Sequence, residues 1–255
     1  MIERPLSPFG VEWTGSWGAD GLPALAVEPL RDAVATHRFA LVRGCRPPDD
    51  GELLTFCRRL GEVLEWDFGA VNELRPSADA RNYLYTHREV PFHWDGAFVG
   101  RVPSYIVFVC ATAPPAGDGG ETTFCDTVRL LSDQPLDVQD AWRRIRITYT
   151  TEKVMHYGGS FTSPVVARHP KTGEAVIRFA EPVHDLNPVS LEVDGVDAPE
   201  PFLSRMHELL NDPRYCHEHS WRAGDILIAD NHALLHGRRA FTRDAPRHLR
   251  RVNVM

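Results

Sequence analysis

The chain has 255 residues, 43% of them hydrophobic and 25% charged, the balance of a globular protein and not of a disordered or fibrous one. Its net charge of −7 is spread without an acidic or basic block, whereas a nucleic-acid binder needs a clustered basic stripe, so no nucleic-acid partner is expected. No apolar run approaches the roughly 18 residues of a membrane helix, MIERPLSPFG lacks a hydrophobic signal core, and the cysteines at 45, 57, 110, 125 and 216 form no C-x-x-C pair. A cytoplasmic protein with reduced thiols, no membrane partner and a single domain over residues 1–255 is expected.

FALVRG (39–44) reads as a strand, and Asp49 and Asp50 offer an N-cap for a helix over 51–60 with apolar residues at helical spacing. Residues 66–90 carry no clear period. In PFHWDGAF (91–98), His93 and Asp95 stand at i and i+2, which share one face of a strand; their side chains converge, and Trp94 between them faces the opposite way into packing. SYIVFVCAT (104–112) is a buried strand, APPAGDGGE a loop, and TTFCDT a short strand ending at a helix cap. KVMHYGGSFTSP (153–164) lacks a period, like 66–90, and these two segments are the expected lids over a site. VVARHPKTGEAVIRF reads as a hairpin around its Thr-Gly turn. APEPFLSRMHELLND (198–212) is an amphipathic helix with Phe202, Met206, Leu209 and Leu210 on one side. His217 and His219 of CHEH have strand spacing, but nothing completes a zinc site with Cys216, so they read as surface histidines. WRAGDILIADN (221–231) and HLRRVNV (248–254) are two more strands. Strands dominate the second half and helices are few and early, which predicts a mainly β fold, a sandwich or barrel with flanking helices.

Two histidines and one carboxylate on a common face are the ligand set of non-haem Fe(II) oxygenases. His93 and Asp95 supply two. The third has to come from elsewhere, and His236 in DNHALLHGRRAF follows a hydrophobic strand and adjoins Gly237, where a backbone can approach a ligand closely. An anionic cosubstrate on that metal needs a buried cation. Arg247 lies eleven residues after His236, and Arg251 four further on; in a strand 247, 249 and 251 share one face, and Arg250 takes the other. Two inward arginines are costly unless each meets an anion, which a dicarboxylate cosubstrate and a carboxylate-bearing substrate would supply. The bland alternatives are a His–Asp pair bracing a strand end and a solvated basic C-terminus. His232 would suit a zinc hydrolase helix with His236, but no H-E-x-x-H is present and it reads as structural.

HWD (93–95), GGETTF (119–124), His236 and Arg247, in this order and spacing, resemble the taurine dioxygenase-like family of Fe(II)/2-oxoglutarate-dependent oxygenases, over residues 35–254. The resemblance implies a double-stranded β-helix, or jelly-roll, core and the cofactors Fe(II), 2-oxoglutarate and O2. It implies that His93, Asp95 and His236 ligate iron, that Thr122 hydrogen-bonds the distal carboxylate of 2-oxoglutarate, and that Arg247 forms a salt bridge to it. Arg251 matches the position that meets the acidic group of the substrate, Gly119 and Gly120 read as a plain flexible turn, and Asp95 excludes the halogenase variant. DFGAVNEL (67–74), SPVVARHP, IRFAEP, HSWRAGDILIADNHALLHGRRAF and APRHLRRVNV look like the isonitrile-biosynthesis, paerucumarin-type branch. That implies desaturation of an amino-acid-derived isonitrile acid, with or without loss of its carboxylate. No motif fixes an aromatic substrate, and the chain stops at Met255, sooner after the last strand than that branch leads one to expect. The rival readings are a 2-oxoglutarate-dependent hydroxylase of a free amino acid or sulfonate, a zinc hydrolase, and a non-catalytic jelly-roll binding protein. The expected partner is a small-molecule substrate; the oligomeric state is open, a homo-oligomer included.

Overall fold

The computed structural model describes residues 2–15, 21–22, 25–67, 69–154 and 157–255, without the side chain of residue 154. β1 (Ile2–Pro5) and β2 (Val11–Thr14) precede α1 (Val27–His37), β3 (Phe39–Arg43) and α2 (Asp50–Leu60). β4 (Asn72–Leu74), β5 (Val90–His93), β6 (Tyr105–Thr112) and β7 (Thr122–Asp126) follow, then α3 (Thr127–Ser132) and α4 (Leu136–Arg144). After these come β8 (Arg146–Val154), β9 (Tyr157–Pro164), β10 (Val166–Arg168), β11 (Ala175–Ile177), β12 (Val189–Asp194) and α5 (Pro199–Leu210). The chain closes with β13 (Cys216–His219), β14 (Ile226–Asp230), β15 (Leu234–Arg238) and β16 (His248–Val254).

A seven-stranded sheet, in the order β1-β2-β3-β14-β6-β16-β4, faces a four-stranded sheet, β13-β7-β15-β5. The period of two in the central strands builds both faces of the larger sheet. Ile226 and Ile228 of β14 pack outward with α1 and α2, while Leu227 and Ala229 point inward to meet Phe124 and Leu234 of the smaller sheet. The outer face of the smaller sheet carries Phe92, Trp94, Cys125 and Leu235, covered by α3, α4, α5 and the β8 strand. This is the jelly-roll expected, mainly β with flanking helices. The α2 start is sharp because Asp49 and Glu52 form a reciprocal capping box, Glu52 N donating to Asp49 Oδ1 (2.8 Å) and Asp49 N to Glu52 Oε2 (3.0 Å). The α5 residues Phe202, Met206, Leu209 and Leu210 are all buried, as their spacing requires.

Helices are not confined to the early chain. α3 and α4 lie in its middle and α5 near its end, because the smaller sheet needs an apolar cover that the larger sheet takes from α1 and α2. α1 was hidden by Pro29, which sits within its first turn where a missing N–H does no harm. Most of 153–164 is strand: β9 pairs with β8, which pairs with β12 in a third sheet, although Gly158 and Gly159 lower its strand signal. Met155 and His156 of that expected lid, and Phe68 of the other, lie outside the described residues. The hairpin is β10–β11. Of 221–231 only β14 is strand. Among the described residues no helix is long and apolar enough to cross a membrane.

Candidate active site

β5 delivers His93 at its last residue, and β15 lies antiparallel beside it with His236 opposite His93, ring centroids 4.3 Å apart. Gly237 makes that pairing possible: a Cβ there would stand 2.6 Å from the Val90 carbonyl oxygen and 2.9 Å from Thr123 Oγ1. The close approach foreseen at Gly237 is therefore to neighbouring strands and not to a ligand. Asp95 lies beyond the end of β5, so strand alternation does not bring it to His93. The amide of Asn231 does: Asp95 N donates to Asn231 Oδ1 (2.9 Å), and Asn231 Nδ2 donates to the carbonyls of Asp95 (3.1 Å) and Pro103 (2.9 Å). Trp94 does face away, edge-on to Tyr149 and Phe161 in the outer core.

One ligand atom from each of His93, Asp95 and His236 lies within 4.8 Å of the others, and both histidine Nε2 atoms are 3.8 Å from Asp95 Oδ1. His93 Nδ1 donates to the Pro91 carbonyl (2.9 Å), which leaves its Nε2 lone pair turned to the cluster. His236 Nε2 is buried with no hydrogen-bond partner, an orphan that a metal ion would satisfy. Burial lowers the His93 pKa against the pull of Asp95; burial and then His93 drive that of His236 well down. Both shifts favour the neutral imidazole, the ligating form. Burial works against ionisation of Asp95, yet Arg251, the two imidazoles and the Asn253 amide outweigh it and hold the carboxyl at about 2. The donor set thus fits a divalent, oxygen-reactive metal.

Behind the cluster lies a small recess bordered by Thr122, Arg247, Arg238 and Arg251 together with His93 and His236. Arg247 Nε donates to the Gly120 carbonyl (2.9 Å) and its Nη2 to Thr122 Oγ1 (3.4 Å), which also accepts from Trp221 Nε1 (2.9 Å). Among the described residues its guanidinium meets no carboxylate, and burial pulls its pKa down to about 10. Gly120 is more than a flexible turn: a Cβ on it would stand 3.1 Å from Arg247 Cδ. Arg250 faces the other way, to Asp50 and the Pro48 carbonyl.

Arg251 Nη1 lies 3.1 Å from both carboxylate oxygens of Asp95. The premise that a second inward arginine must await a substrate anion is corrected, since Asp95 already provides one. Arg251 still borders both the recess and the larger pocket, with its buried Nε unpartnered.

That larger pocket, about 550 Å3, opens from His93 and Asp95. Of the two segments read as lids, the first walls it through Trp66, Asn72 and 81–85 and the second through Tyr157 and Phe161. Tyr83, Tyr85, Phe98, Tyr157 and Phe161 line it. Phe98 stands 4.9 Å from the Tyr157 ring and 4.8 Å from that of Phe161, and the Tyr83 and Tyr157 hydroxyls are hydrogen-bonded to each other. The aromatic character that no motif announced is carried by the lining.

His219 is no surface histidine. It is buried, 3.2 Å from Asp225 and edge-on to Trp221, while His217 bonds the Ser7 carbonyl. Cys216 stands opposite Cys125 on the neighbouring strand, and among the described residues it shares no metal-ligand group with His217 or His219. His232 is structural, as read: its Nδ1 accepts from Arg178 Nη2 (2.7 Å), and burial and then Arg178 hold it at about 4. Sequence reasoning missed Asn231, Asn253, Trp221 and Arg238. Asn253 and Arg238 were findable, each two residues along a strand from a residue already singled out. Asn231 gave no such signal, because its partners are distant backbone atoms.

The family model described as taurine catabolism dioxygenase TauD, TfdA family matches residues 3–253. A 3-((Z)-2-isocyanoethenyl)-1H-indole synthase of Fischerella ambigua is 43% identical over 99% of this chain and 94% of its own length. A tyrosine isonitrile desaturase of Pseudomonas aeruginosa is 38% identical over 90% of this chain and 81% of its own. Among solved structures, PvcB of Pseudomonas aeruginosa superimposes with a TM-score of 0.81 at 34% identity, over 98% of this chain and 87% of that one. A second PvcB structure describes it as an Fe, alpha-ketoglutarate dependent oxygenase from an isonitrile synthetic pathway. A taurine dioxygenase from Burkholderia xenovorans, at 22% identity and a TM-score of 0.76 over 99% and 90% of the two chains, shares the fold.

Proposed function

We propose that this chain, which belongs to the TauD, TfdA family and is an Fe(II)- and 2-oxoglutarate-dependent dioxygenase, desaturates the isonitrile acid of an aromatic amino acid. The observation that carries the reading is a single juxtaposition. A His93–Asp95–His236 cluster opens on one side to a recess with a buried arginine lacking a carboxylate, and on the other to an aromatic pocket.

In this reading His93, Asp95 and His236 hold Fe(II). Thr122 and Arg247 take the distal carboxylate of 2-oxoglutarate, with Trp221 fixing the Thr122 hydroxyl. Arg251 takes the substrate carboxylate while it keeps Asp95 ionised, so that one guanidinium registers the substrate against an iron ligand. Bound there, iron with 2-oxoglutarate and O2 supplies a two-electron oxidation that removes two hydrogens from the substrate. The balance is substrate, 2-oxoglutarate and O2 going to alkene, succinate, CO2 and water, with a second CO2 where the substrate carboxylate is lost. The chain's own contribution is orientation: Tyr83, Phe98, Tyr157 and Phe161 grip the ring, and the hydrogens that leave are those held nearest the cluster. An indole ring is the first choice, since the 43% identical relative is named for an indole product.

The test is mass spectrometry of products from the isonitrile acids of tryptophan and tyrosine, and from the free amino acids, with succinate as control. Loss of two hydrogens, with or without CO2, matched by succinate, is the expected result. Consumption of the free amino acid and not of the isonitrile acid would replace the reading with an amino-acid hydroxylase.

A further inference from the structure

Arg238 is a buried cation, 7% exposed, for which the reaction as described has no use. It stands two residues after His236 on β15 and borders the recess. Among the described residues no carboxylate forms an ion pair with it. Its guanidinium donates instead to the carbonyls of Leu84 (2.8 Å), Thr86 (2.8 Å), Arg88 (2.6 Å) and Tyr83 (3.4 Å). Phe241 N adds a bond to the His87 carbonyl between them (3.0 Å). Segment 83–88 is therefore hung from the strand that carries His236. The same segment is a wall of the substrate pocket, through Tyr83, Leu84 and Tyr85.

The other neighbour of Arg238 is Arg247. Both guanidinium groups approach the Phe241 ring, at 5.3 and 5.8 Å, and both border the recess. Two like charges buried near one ring repel, and carbonyl dipoles compensate them only in part. We propose that Arg238 couples the cosubstrate recess to the substrate pocket, so that an anion on Arg247 tightens the Arg238 clamp on 83–88 and firms the pocket wall. This rests on the reading of Arg247 as the 2-oxoglutarate anchor. The carboxylate offsets the Arg247 charge, which lowers the cost of holding the buried Arg238 guanidinium in place on its four carbonyls. By linkage the substrate, which needs the firm wall, strengthens 2-oxoglutarate binding by the same factor.

Hydrogen exchange read by mass spectrometry on the anaerobic Co(II)-loaded chain, with and without 2-oxoglutarate, tests this. In the wild type, amides of 83–88 slow by about tenfold on 2-oxoglutarate binding, a change well inside the range of local opening equilibria. In Arg238→Lys, which keeps the charge but cannot span four carbonyls, the slowing falls below about twofold although calorimetry finds 2-oxoglutarate bound. In Arg238→Gln the segment exchanges faster in both states and ignores the ligand. Wild-type slowing in either variant, or none in the wild type with ligand bound, overturns the proposal. Calorimetry on Arg247→Ala separates the two claims. Undiminished 2-oxoglutarate affinity there removes the anchor and the coupling with it; lost affinity, together with wild-type slowing in Arg238→Lys, removes the coupling alone.

Discussion

His93 and His236 face each other across paired strands of the jelly-roll, whereas the rings that line the substrate pocket arrive from turns and from a hairpin outside the two main sheets. At the metal end most polar atoms have a named partner, and among the buried atoms without one His236 Nε2 belongs to the cluster and Arg238 Nε and Arg251 Nε to residues bordering the recess. At the wall the contacts are mostly between rings, such as Tyr149 stacked on Phe161 at 5.0 Å. The first arrangement tolerates almost no displacement; the second can be repacked. Chemistry is thus built on the strand framework and substrate choice on its additions, as a fold that serves many substrates requires.

The hardest blow falls on the metal end. His93→Ala and His236→Ala each abolish stoichiometric Co(II) binding in anaerobic calorimetry, because three ligands carry no redundancy. Next comes Arg247→Ala, in which half-saturating 2-oxoglutarate rises by about two orders of magnitude or more, the consequence of the about 3–5 kcal/mol lost on breaking a buried charge pair. Its Co(II) affinity stays put, and a matching loss there would mean that recess and cluster are one unit. Asn231→Ala frees the turn that carries Asp95, and Co(II) affinity falls about tenfold, the low end for outer partners of metal ligands. Phe161→Ala, in contrast, leaves Co(II) affinity as it is and raises the KM for the isonitrile acid by about tenfold, the size of one lost apolar contact.

The smallest effect is a flat line. Both cluster imidazoles have folded pKa values below the ordinary 6.5, so neither sheds a proton to bind metal at neutral pH. Co(II) affinity should not change between about pH 8 and 6.5. The same sign governs folding. Below 6.5 the unfolded chain takes up protons that native His93, His236 and His232 refuse, so stability is full above that pH and falls as the pH drops. Denaturant titrations at stepped pH check it, and a maximum below pH 6 would contradict it.

The metal end was also the more legible region in the sequence. Charges and imidazoles announce themselves by spacing: His93 stands at i and i+2 with Asp95, Arg247 and Arg251 four apart, and His236 eleven before Arg247, although Arg247 itself precedes β16 and its alternation. Asp95 does lie beside His93 and His236, but the reason read from the sequence does not hold in the structure, since Asn231 rather than strand pleat brings it in. The wall was illegible because its rings come from segments without a period, Tyr83 and Phe161 among them, which meet only through tertiary packing. α4 was missed for a related reason: a short helix that serves as a cover needs few apolar residues, and α4 buries only Trp142, whereas α1 was hidden by Pro29.

Anaerobic titration of the Fe(II)-loaded chain with 2-oxoglutarate, followed by visible absorption, tests the assignment of the cluster and its recess most directly. A weak charge-transfer band should grow to saturation in step with the chain concentration, fail to appear in His236→Ala, and require far more 2-oxoglutarate in Arg247→Ala. No band in the wild type, or an unchanged titration in His236→Ala, would contradict it.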